Sequence, residues 1–374
     1  MFRSIIQYRR SAIARRAALS LFLLATGCNQ AKTADEFIKS AQSHRAAGAI
    51  SAAIIDLKNA LQQEPKNTSA RLLLGQYYLD LPDPVSAEAE LLRARQDGAG
   101  NPSVAYPLAR AELQMGRPER ALHEADLSDE VPPALGASLM AVKADAYLAL
   151  GQAANANQAL DAGAKLDERS VDILAAMARY ALLKGDVATA RQRLAEAEKQ
   201  DPKSAALLDL EGGIDFTQQD FAASVDAYKR LLAMAPWSLT ARLGLARAQI
   251  ADRHPQDAVA NLAVVLKAVP NALAGNYLRA LAAYQEKDYA TAQTHIQRAL
   301  NASKDSAPTL LLAGATSYAL RQYEQANAYL SQYIYLVPQN VQARKLLASA
   351  QLALGRSADA VKTRSPRHGI SIPM

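Results

Sequence analysis

Proline residues and small apolar residues recur along the chain with a period of 34 positions. Pro202, Pro236 and Pro270 follow one another at intervals of one period, and Pro338 lies two periods after Pro270. The interval from Pro65 to Pro202 is four periods and one additional residue. The spacing therefore predicts a tandem array of similar units, with one inserted residue in its first half.

Within each period, small and large apolar residues stand at fixed positions. The first unit, counted from Ala34, places Gly48 between two helix-forming stretches and continues with Ala53, Leu57 and Ala60. Glycine gives a tight turn its backbone freedom, alanines let two helices approach closely, and leucine fills the space beside them. The pattern predicts two antiparallel helices in every unit. Later units repeat these positions with Leu74, Gly75, Tyr78, Ala87, Leu91, Ala94, Tyr147, Gly151, Ala156, Gly185, Ala190, Ala197, Gly212, Ala292, Ala299, Gly314 and Ala326.

This period and this order of residues resemble the tetratricopeptide repeat (TPR). Ten units are expected to begin near residues 34, 68, 102, 137, 171, 205, 239, 273, 307 and 341, with the inserted residue around Asp126–Pro133. A single unit cannot bury its apolar face alone, so neighbouring units must stack. We predict an all-α fold, a TPR-type α-α superhelical solenoid of about ten helix-turn-helix repeats.

The segment before the first unit has the features of an export signal. Residues 1–16 are rich in arginine and contain no acidic residue, and residues 17–26 form a short apolar run. That run is too short to cross a bilayer, which takes about 20 apolar residues. A basic segment followed by a short apolar segment and small residues describes a cleaved signal peptide, which we predict over residues 1–27.

The segment Leu24–Cys28, with the sequence LATGC, resembles the lipobox of bacterial lipoproteins. In that family a diacylglycerol is attached to the cysteine, so the resemblance implies lipidation of Cys28. Two or three acyl chains make release from the membrane negligible. Asn29 stands where an aspartate usually causes retention in the inner membrane, which favours the outer membrane facing the periplasm. Cys28 is the only cysteine, so no disulfide can form within one chain.

The solenoid is expected to cover residues 34–361, after the lipidated cysteine and a short linker at 28–33. Residues 362–374 contain two prolines and one glycine and have no apolar periodicity, so we expect an irregular, disordered tail. A solenoid end normally carries a polar capping helix. The missing cap predicts a frayed last unit in a chain shortened relative to its relatives.

The net charge of +6 is misleading as a guide to partners. Residues 1–27 contain five basic residues and residues 361–374 contain three, and neither segment contains an acidic residue. Without these eight, the 42 basic residues fall to 34 against 36 acidic residues, so the body carries about −2. A nucleic-acid-binding protein is expected to have a basic body or stripe, so we predict no nucleic-acid partner.

The sequence contains none of the common catalytic or cofactor motifs. It has no phosphate-binding or dinucleotide-binding glycine loop, no HExxH, no GxSxG and no CxxC. No segment of about 100 residues outside the repeats is left for a catalytic domain. We therefore predict a protein that is not an enzyme and that uses no cofactor and no metal. The five histidines are scattered over different units, at His44, His123, His254, His295 and His368.

A candidate binding surface follows from the first helix of each unit, which lines the concave face of a TPR array. Its ninth position carries Arg110, Arg179 and Arg247, a basic stripe that Asp145 interrupts. Arginine and aromatic side chains often dominate interfaces, so the stripe predicts an acidic peptide or an anionic polysaccharide as ligand. Alternatively, the arginines are solvated and the aromatic residues pack between units. The aromatic residues beside the stripe are Tyr106, Phe216, Tyr277, Tyr284 and Tyr318.

The first repeats also carry a narrower family resemblance. The segments Ala53–Gln62 (AIIDLKNALQ) and Ala70–Gly75 (ARLLLG) resemble the opening repeats of the PEP-CTERM system TPR-repeat lipoproteins, and the upstream lipobox agrees with this family. The resemblance implies a bacterial envelope protein associated with exosortase-type protein sorting and exopolysaccharide production. It carries no catalytic residues.

These features lead to one main hypothesis and two alternatives. The main hypothesis is a lipid-anchored TPR scaffold for protein–protein interactions in exopolysaccharide export or exosortase-linked surface-protein sorting. The first alternative is an assembly factor for pilus or outer-membrane protein biogenesis. The second is a periplasmic protein that binds an anionic polysaccharide. We expect envelope assembly or export proteins as partners and contact with the membrane through the lipid.

Overall fold

The computed structural model describes residues 32–81, 83–126 and 131–364, and every regular element in them is an α-helix. The helices follow one another as hairpins, so that α1 and α2 form repeat 1 and α19 and α20 form repeat 10. In chain order they are α1 Ala34–Ala46, α2 Ile50–Gln63, α3 Thr68–Asp80, α4 Pro84–Gln96, α5 Asn101–Gln114, α6 Pro118–Glu124, α7 Pro133–Ala149, α8 Ala153–Leu166, α9 Val171–Leu183, α10 Val187–Gln200, α11 Ala205–Thr217, α12 Phe221–Met234, α13 Leu239–Ala251, α14 Pro255–Ala268, α15 Leu273–Gln285, α16 Tyr289–Ala302, α17 Ala307–Ala319, α18 Tyr323–Leu336, α19 Val341–Ala353 and α20 Ser357–Arg364.

The array is regular except around repeats 3 and 4. The first helix begins at the expected residue in eight of the ten repeats. In repeat 3 it begins at Asn101 instead of 102, and in repeat 4 at Pro133 instead of 137. Helix α6 is short, with 7 residues, and α7 is long, with 17. The insertion expected around Asp126–Pro133 falls at this irregularity, although residues 127–130 lie outside the described residues.

The end of the helical array differs from the expectation. Helix α20 continues to Arg364, beyond the predicted solenoid end at Val361, so the irregular tail predicted from residue 362 begins too early. Ala360 of this helix is buried where α20 packs against α19, which explains why the helix persists. The rest of the predicted tail, residues 365–374, lies outside the described residues, as do the predicted signal peptide and Cys28.

Short polar side chains define where many helices begin. An aspartate before each of four second helices accepts a hydrogen bond from the backbone N–H three residues later, which satisfies one of the free donors of the first turn. These aspartates are Asp83, Asp186, Asp220 and Asp288. Each of the five period-marking prolines lies two residues after the end of a second helix, where a missing N–H has little cost.

In nine of the ten repeats, the turn between the two helices contains a described residue with a left-handed backbone. Glycine adopts it in repeats 1, 3, 4, 5 and 10, for example at Gly48, whose φ is +80°. In repeats 6 to 9 the equivalent residues are not glycine and still have φ between 61° and 64°. The stacked helices on both sides therefore hold four side-chain-bearing residues in a conformation that costs about 1–2 kcal/mol each. They are Gln219, Arg253, Lys287 and Arg321.

Close approach between helices explains the small residues of the pattern. Ala53 and Leu57 of repeat 1 are fully buried, as their positions in the period predicted. In repeats 6 and 7 the ring of Tyr228 lies between two glycines of the first helices. A Cβ on Gly212 would come within 2.8 Å of this ring, and one on Gly244 within 2.4 Å. The tyrosine thus fills the space that the two glycines leave and joins the two repeats.

The first helices of neighbouring repeats contact one another along the inner side of the superhelix. After six repeats the array returns to its own beginning. Trp237, in the connection between α12 and α13, packs against the apolar core of repeat 1 as well as that of repeats 6 and 7. A Cβ on Gly48 would lie 3.3 Å from the Trp237 ring. Repeats 1 to 6 therefore form a closed ring, and the predicted all-α solenoid is confirmed.

A pair of adjacent glycines tests the packing around Tyr228. Gly212→Ala should destabilise the fold by about 1–3 kcal/mol, because its new methyl group meets a ring that Gly244 prevents from moving. Gly213→Ala should leave the fold as stable or gain roughly 0.5–1 kcal/mol, because no atom lies within 4 Å of its Cβ and alanine favours the helix. Thermal unfolding followed by circular dichroism measures both. Equal midpoints for the two variants would contradict this packing.

Candidate functional site

All eight candidate binding residues lie on first helices, which line the inner side of the ring and its continuation. Helix α5 carries Tyr106 and Arg110, and α9 carries Arg179. The remaining ones are Phe216 on α11, Arg247 on α13, Tyr277 and Tyr284 on α15, and Tyr318 on α17. The three arginines, however, lie in different environments.

Arg110 is the arginine with the most room around it. Its side chain is exposed, and its guanidinium carbon lies 5.6 Å from the centre of the Tyr106 ring, in cation–π range. Among the described residues, no carboxylate lies within ion-pair distance of it. Three cavities, of about 300, 600 and 330 Å³, are all lined by Arg110. An uncompensated guanidinium with space in front of it can bind an anionic group of a ligand.

Arg179 is already engaged by the acidic residue that interrupts the predicted stripe. Its Nε and Nη2 atoms donate to the two carboxylate oxygens of Asp145 at 3.2 and 2.7 Å. This two-pronged geometry fits the planar guanidinium well and neutralises its charge. The predicted basic stripe is therefore divided into an open cation at Arg110 and a compensated one at Arg179.

Arg247 lies against an aromatic residue of the preceding repeat. Its guanidinium carbon is 4.1 Å from the centre of the Phe216 ring, which is close stacking. The side chain is exposed, and within the described part of the chain no ion pair holds it. Phe216 in turn packs against Phe221 at 5.3 Å between ring centres. Arg247 thus covers an aromatic pair and still presents its charge to solvent.

Tyr106 and Asp172 form the wall next to Arg110. Burial raises the pKa of Tyr106 to about 12; the nearby Arg110 charge opposes this rise, and the negative charge of Asp172 adds to it. The phenol is therefore neutral at physiological pH and serves as a hydrogen-bond donor. Asp172 also accepts a hydrogen bond from the Ser138 hydroxyl at 2.5 Å. This wall is polar and held in place before any ligand arrives.

Asp209 is a functional candidate that the sequence reasoning missed. It lies on α11 in the wall of the 600 Å³ cavity, and among the described residues no ion pair or hydrogen bond satisfies its carboxylate. Burial raises the pKa of Asp209, and the charges of Arg247 and Arg179 oppose the rise. Asp209 stands at the fifth position of its repeat, where only the aromatic residues Tyr106 and Tyr277 indicated a candidate surface.

Arg45 and Trp237 are two further residues of the site that the sequence did not predict. They lie on opposite sides of the contact that closes the ring. The guanidinium carbon of Arg45 is 4.8 Å from the centre of the Trp237 ring. Arg45 also binds Asp80 at 2.8 Å. Nearly 200 positions separate Arg45 from Trp237 in the sequence. Only the curvature of the folded array brings them together, so no local pattern could reveal the contact.

The tyrosines of the later repeats serve mainly in packing. Tyr284 and Tyr318, at the ends of their first helices, each contact the tyrosine that begins the second helix, at 5.5 Å between ring centres. Tyr277 is partly buried between the cores of repeats 7 to 9. Burial raises the pKa of Tyr277 and of Tyr284. This arrangement corresponds to the alternative in which the aromatic residues join helices and repeats.

The described residues contain neither a cluster of metal ligands nor a helix suited to span a membrane. No group of three or more His, Cys, Asp or Glu side chains is placed to hold a metal ion in the described part of the chain. No helix there combines the length and the apolar character that a membrane span needs. Cys28, the predicted lipidation site, lies outside the described residues.

Comparison with known proteins identifies the repeat. The family model for the tetratricopeptide repeat matches residues 44–104, and a second tetratricopeptide-repeat model matches residues 243–308 and 311–363. These matches agree with the stacked helix hairpins of the structure. The chain is therefore a superhelical solenoid of tetratricopeptide repeats, a repeat that generally mediates protein–protein interactions. No curated protein matches the chain.

Two solved structures share this fold. PilF of Pseudomonas aeruginosa is 18% identical, with a TM-score of 0.50, and the match covers 58% of this chain and 99% of PilF. PilW, described as a widely conserved type IV pilus biogenesis factor, is 17% identical, with a TM-score of 0.50 over 57% of this chain and 97% of PilW. At these identities the likeness shows the fold alone.

The packing role of the tyrosine pairs can be tested by truncation. Tyr318→Ala should destabilise the solenoid by roughly 2 kcal/mol or more, because it removes a partly buried ring and its contact with Tyr323. Tyr335→Ala is the control, since that side chain is 87% exposed and its loss should change stability by less than about 0.5 kcal/mol. Urea unfolding of both variants would show the difference, and an unaffected Tyr318→Ala protein would argue for a free binding residue.

Proposed function

We propose that the chain is a lipid-anchored scaffold of a bacterial cell envelope that holds partner proteins on the inner face of its superhelix. The observation that carries this proposal is Arg110, an exposed cation without a carboxylate partner among the described residues, at the junction of three cavities. Tetratricopeptide repeats generally act as scaffolds without catalytic activity, and we propose the same here. The repeats supply a long surface with several sites, as solenoids do.

The anchor is proposed from the sequence before the first repeat. The basic segment, the short apolar run and the LATGC motif ending at Cys28 together support export and lipidation. Asn29 supports the outer membrane, and the scaffold would then face the periplasm. Because the first helix begins at Ala34, the proposed lipid and repeat 1 are separated by only a few residues. The closed ring would therefore lie close to the membrane surface.

The pathway is proposed from the family resemblance of the first repeats. The segments Ala53–Gln62 and Ala70–Gly75 support a role in exopolysaccharide export or exosortase-linked sorting of PEP-CTERM surface proteins. A second candidate is pilus assembly, which the fold likeness to PilF and PilW brings into consideration. The two candidates predict different captured proteins, so one experiment separates them. Binding of an anionic polysaccharide is a third candidate, supported only by the exposed arginines Arg110 and Arg247.

Cell fractionation and capture of partners test the anchor and the pathway together. Wild-type protein should sediment with outer membranes, whereas Cys28→Ala should be lost from that fraction, because it cannot carry the lipid. Asn29→Asp is the matched control: it keeps the cysteine and should move the protein to the inner membrane. Proteins captured by wild type from detergent-solubilised envelopes should include sorting or polysaccharide-export components.

Two outcomes would contradict parts of the proposal, and a third would contradict its core. If Cys28→Ala sediments with outer membranes as wild type does, the lipid anchor is wrong. If pilus proteins are captured instead of sorting or export components, pilus assembly replaces the proposed pathway. Capture of no protein by the wild-type chain would contradict the scaffold itself.

A further inference from the structure

The closed ring is more than a consequence of superhelical curvature, because it creates a cavity. The 600 Å³ cavity is lined on one side by Leu79 and Asp80 of repeat 2 and on the other by Ala235 and Trp237 of the connection between repeats 6 and 7. These two walls are far apart in the sequence and meet only where the ring closes. An open groove would expose them separately, so this cavity belongs to the closed ring alone.

The stacked side chains of Arg45 and Trp237 hold the ring closed beside this cavity. Arg45 stacks on Trp237 at 4.8 Å, and Asp80 fixes its guanidinium through bonds from Nε at 2.9 Å and Nη2 at 2.8 Å. Tyr77 adds a second aromatic face, 5.8 Å from the same guanidinium. Asp80 thereby compensates the charge of Arg45, and the planar face of the Arg45 guanidinium forms the contact with Trp237 that closes the ring. Arg45 is not the open cation of the cavity.

The open cation is Arg110, and the open acceptor is Asp209. Both line the 600 Å³ cavity, and neither has an ion-pair partner among the described residues. By contrast, Arg45 on the wall of the same cavity is paired with Asp80, and Arg179 on the wall of the 300 Å³ cavity is paired with Asp145. The Asp209 carboxylate is half-buried, and without a donor from the described residues it can accept a hydrogen bond from a ligand N–H that enters the cavity. The site thus offers one place for a carboxylate and one for a donor.

The remaining lining is unfavourable for a polyanion. The three adjoining cavities carry three arginines, Arg45, Arg110 and Arg179, and a larger number of carboxylates. A chain with a negative charge on every unit would meet repulsion at most of these positions. The carboxylates are Asp80, Asp145, Asp172 and Asp209. Apolar side chains, among them Leu79, Leu231 and Trp237, cover much of the rest.

We propose that the closed ring of repeats 1 to 6 binds a short, extended peptide segment of the partner protein, which places one carboxylate on Arg110 and a backbone N–H on Asp209. Apolar side chains of the segment pack on Trp237, so that the residue that closes the ring also forms part of the site. A cavity of this volume holds a segment of a few residues, within the range of small-ligand sites. This inference rests on the proposed function, because it takes the partner to be a protein.

The carboxylate can come from an acidic side chain or from the carboxyl end of the partner, and three peptides distinguish these sources. The first is acetyl-Ala-Leu-Glu-Leu-Ala-amide, the second acetyl-Ala-Leu-Gln-Leu-Ala with a free carboxyl end, and the third the same glutamine peptide with an amide end. Trp237 is the only tryptophan of the chain, so its fluorescence reports binding in this cavity. Isothermal titration calorimetry gives a second, independent readout.

At least one carboxylate peptide should bind the full chain and change the Trp237 fluorescence, and the uncharged peptide should bind at least about tenfold more weakly. Arg110→Ala should weaken binding of the carboxylate peptide by about ten- to hundredfold, because it removes a charge-assisted hydrogen bond. Arg298→Ala is the matched control: it removes an exposed arginine from the second helix α16 and should change affinity less than about twofold. Arg110→Lys, which keeps the charge and loses the two-pronged geometry, should fall between wild type and Arg110→Ala.

Several outcomes would overturn the assignment. These are equal affinity of the uncharged peptide and both carboxylate peptides, equal effects of Arg110→Ala and Arg298→Ala, or no binding of either carboxylate peptide at about 1 mM. Binding of polygalacturonate that depends on Arg110, without binding of the peptides, would replace the peptide by an anionic polysaccharide. If wild type and Arg110→Ala capture the same envelope proteins, the scaffold function stands and this site is wrong. If wild type captures none, the scaffold function itself fails.

Discussion

The structure depends on the contact between repeats, because no helix hairpin of this chain can bury its apolar face alone. Alanines and glycines bring the helix axes close, and a leucine or tyrosine from the next helix fills the remaining space. Around Leu91, for example, a Cβ on Gly75 would come within 2.6 Å of the leucine side chain. Each repeat therefore fixes the position and rotation of the next one. Small rotations add up until repeat 1 meets Trp237.

Much of this could be predicted from the sequence, because a period is a local property that repeats. The starts of most first helices, the buried positions of Ala53 and Leu57, and the all-helical fold follow from it. The turn residues of repeats 6 to 9 could not be predicted from a glycine signal, since Gln219 and its three equivalents take the same left-handed conformation. Stacking on both sides imposes this backbone.

The candidate site was predictable only in part, because position in the period does not determine the contacts between repeats. Position in the period placed Arg110, Arg179 and Arg247 on the inner face, but it gave no information on their partners. Whether an arginine has an ion-pair partner depends on residues one repeat away, such as Asp145 for Arg179. Contacts across the ring, such as the one between Arg45 and Trp237, depend on the summed curvature of six repeats. No spacing in the sequence encodes such a contact directly.

The closure contact is the most sensitive test of the stack, because a small error in every repeat would accumulate before repeat 1 meets Trp237. The direct measurement uses a bimane fluorophore on Ala47→Cys in a Cys28→Ser background, next to Gly48, which the Trp237 ring contacts. A tryptophan quenches bimane only at close range. If the ring is closed, the bimane fluorescence should be strongly quenched, and the quenching should disappear when Trp237→Phe is added. Bright bimane fluorescence that Trp237→Phe does not change would show that the ring is open and would contradict the account.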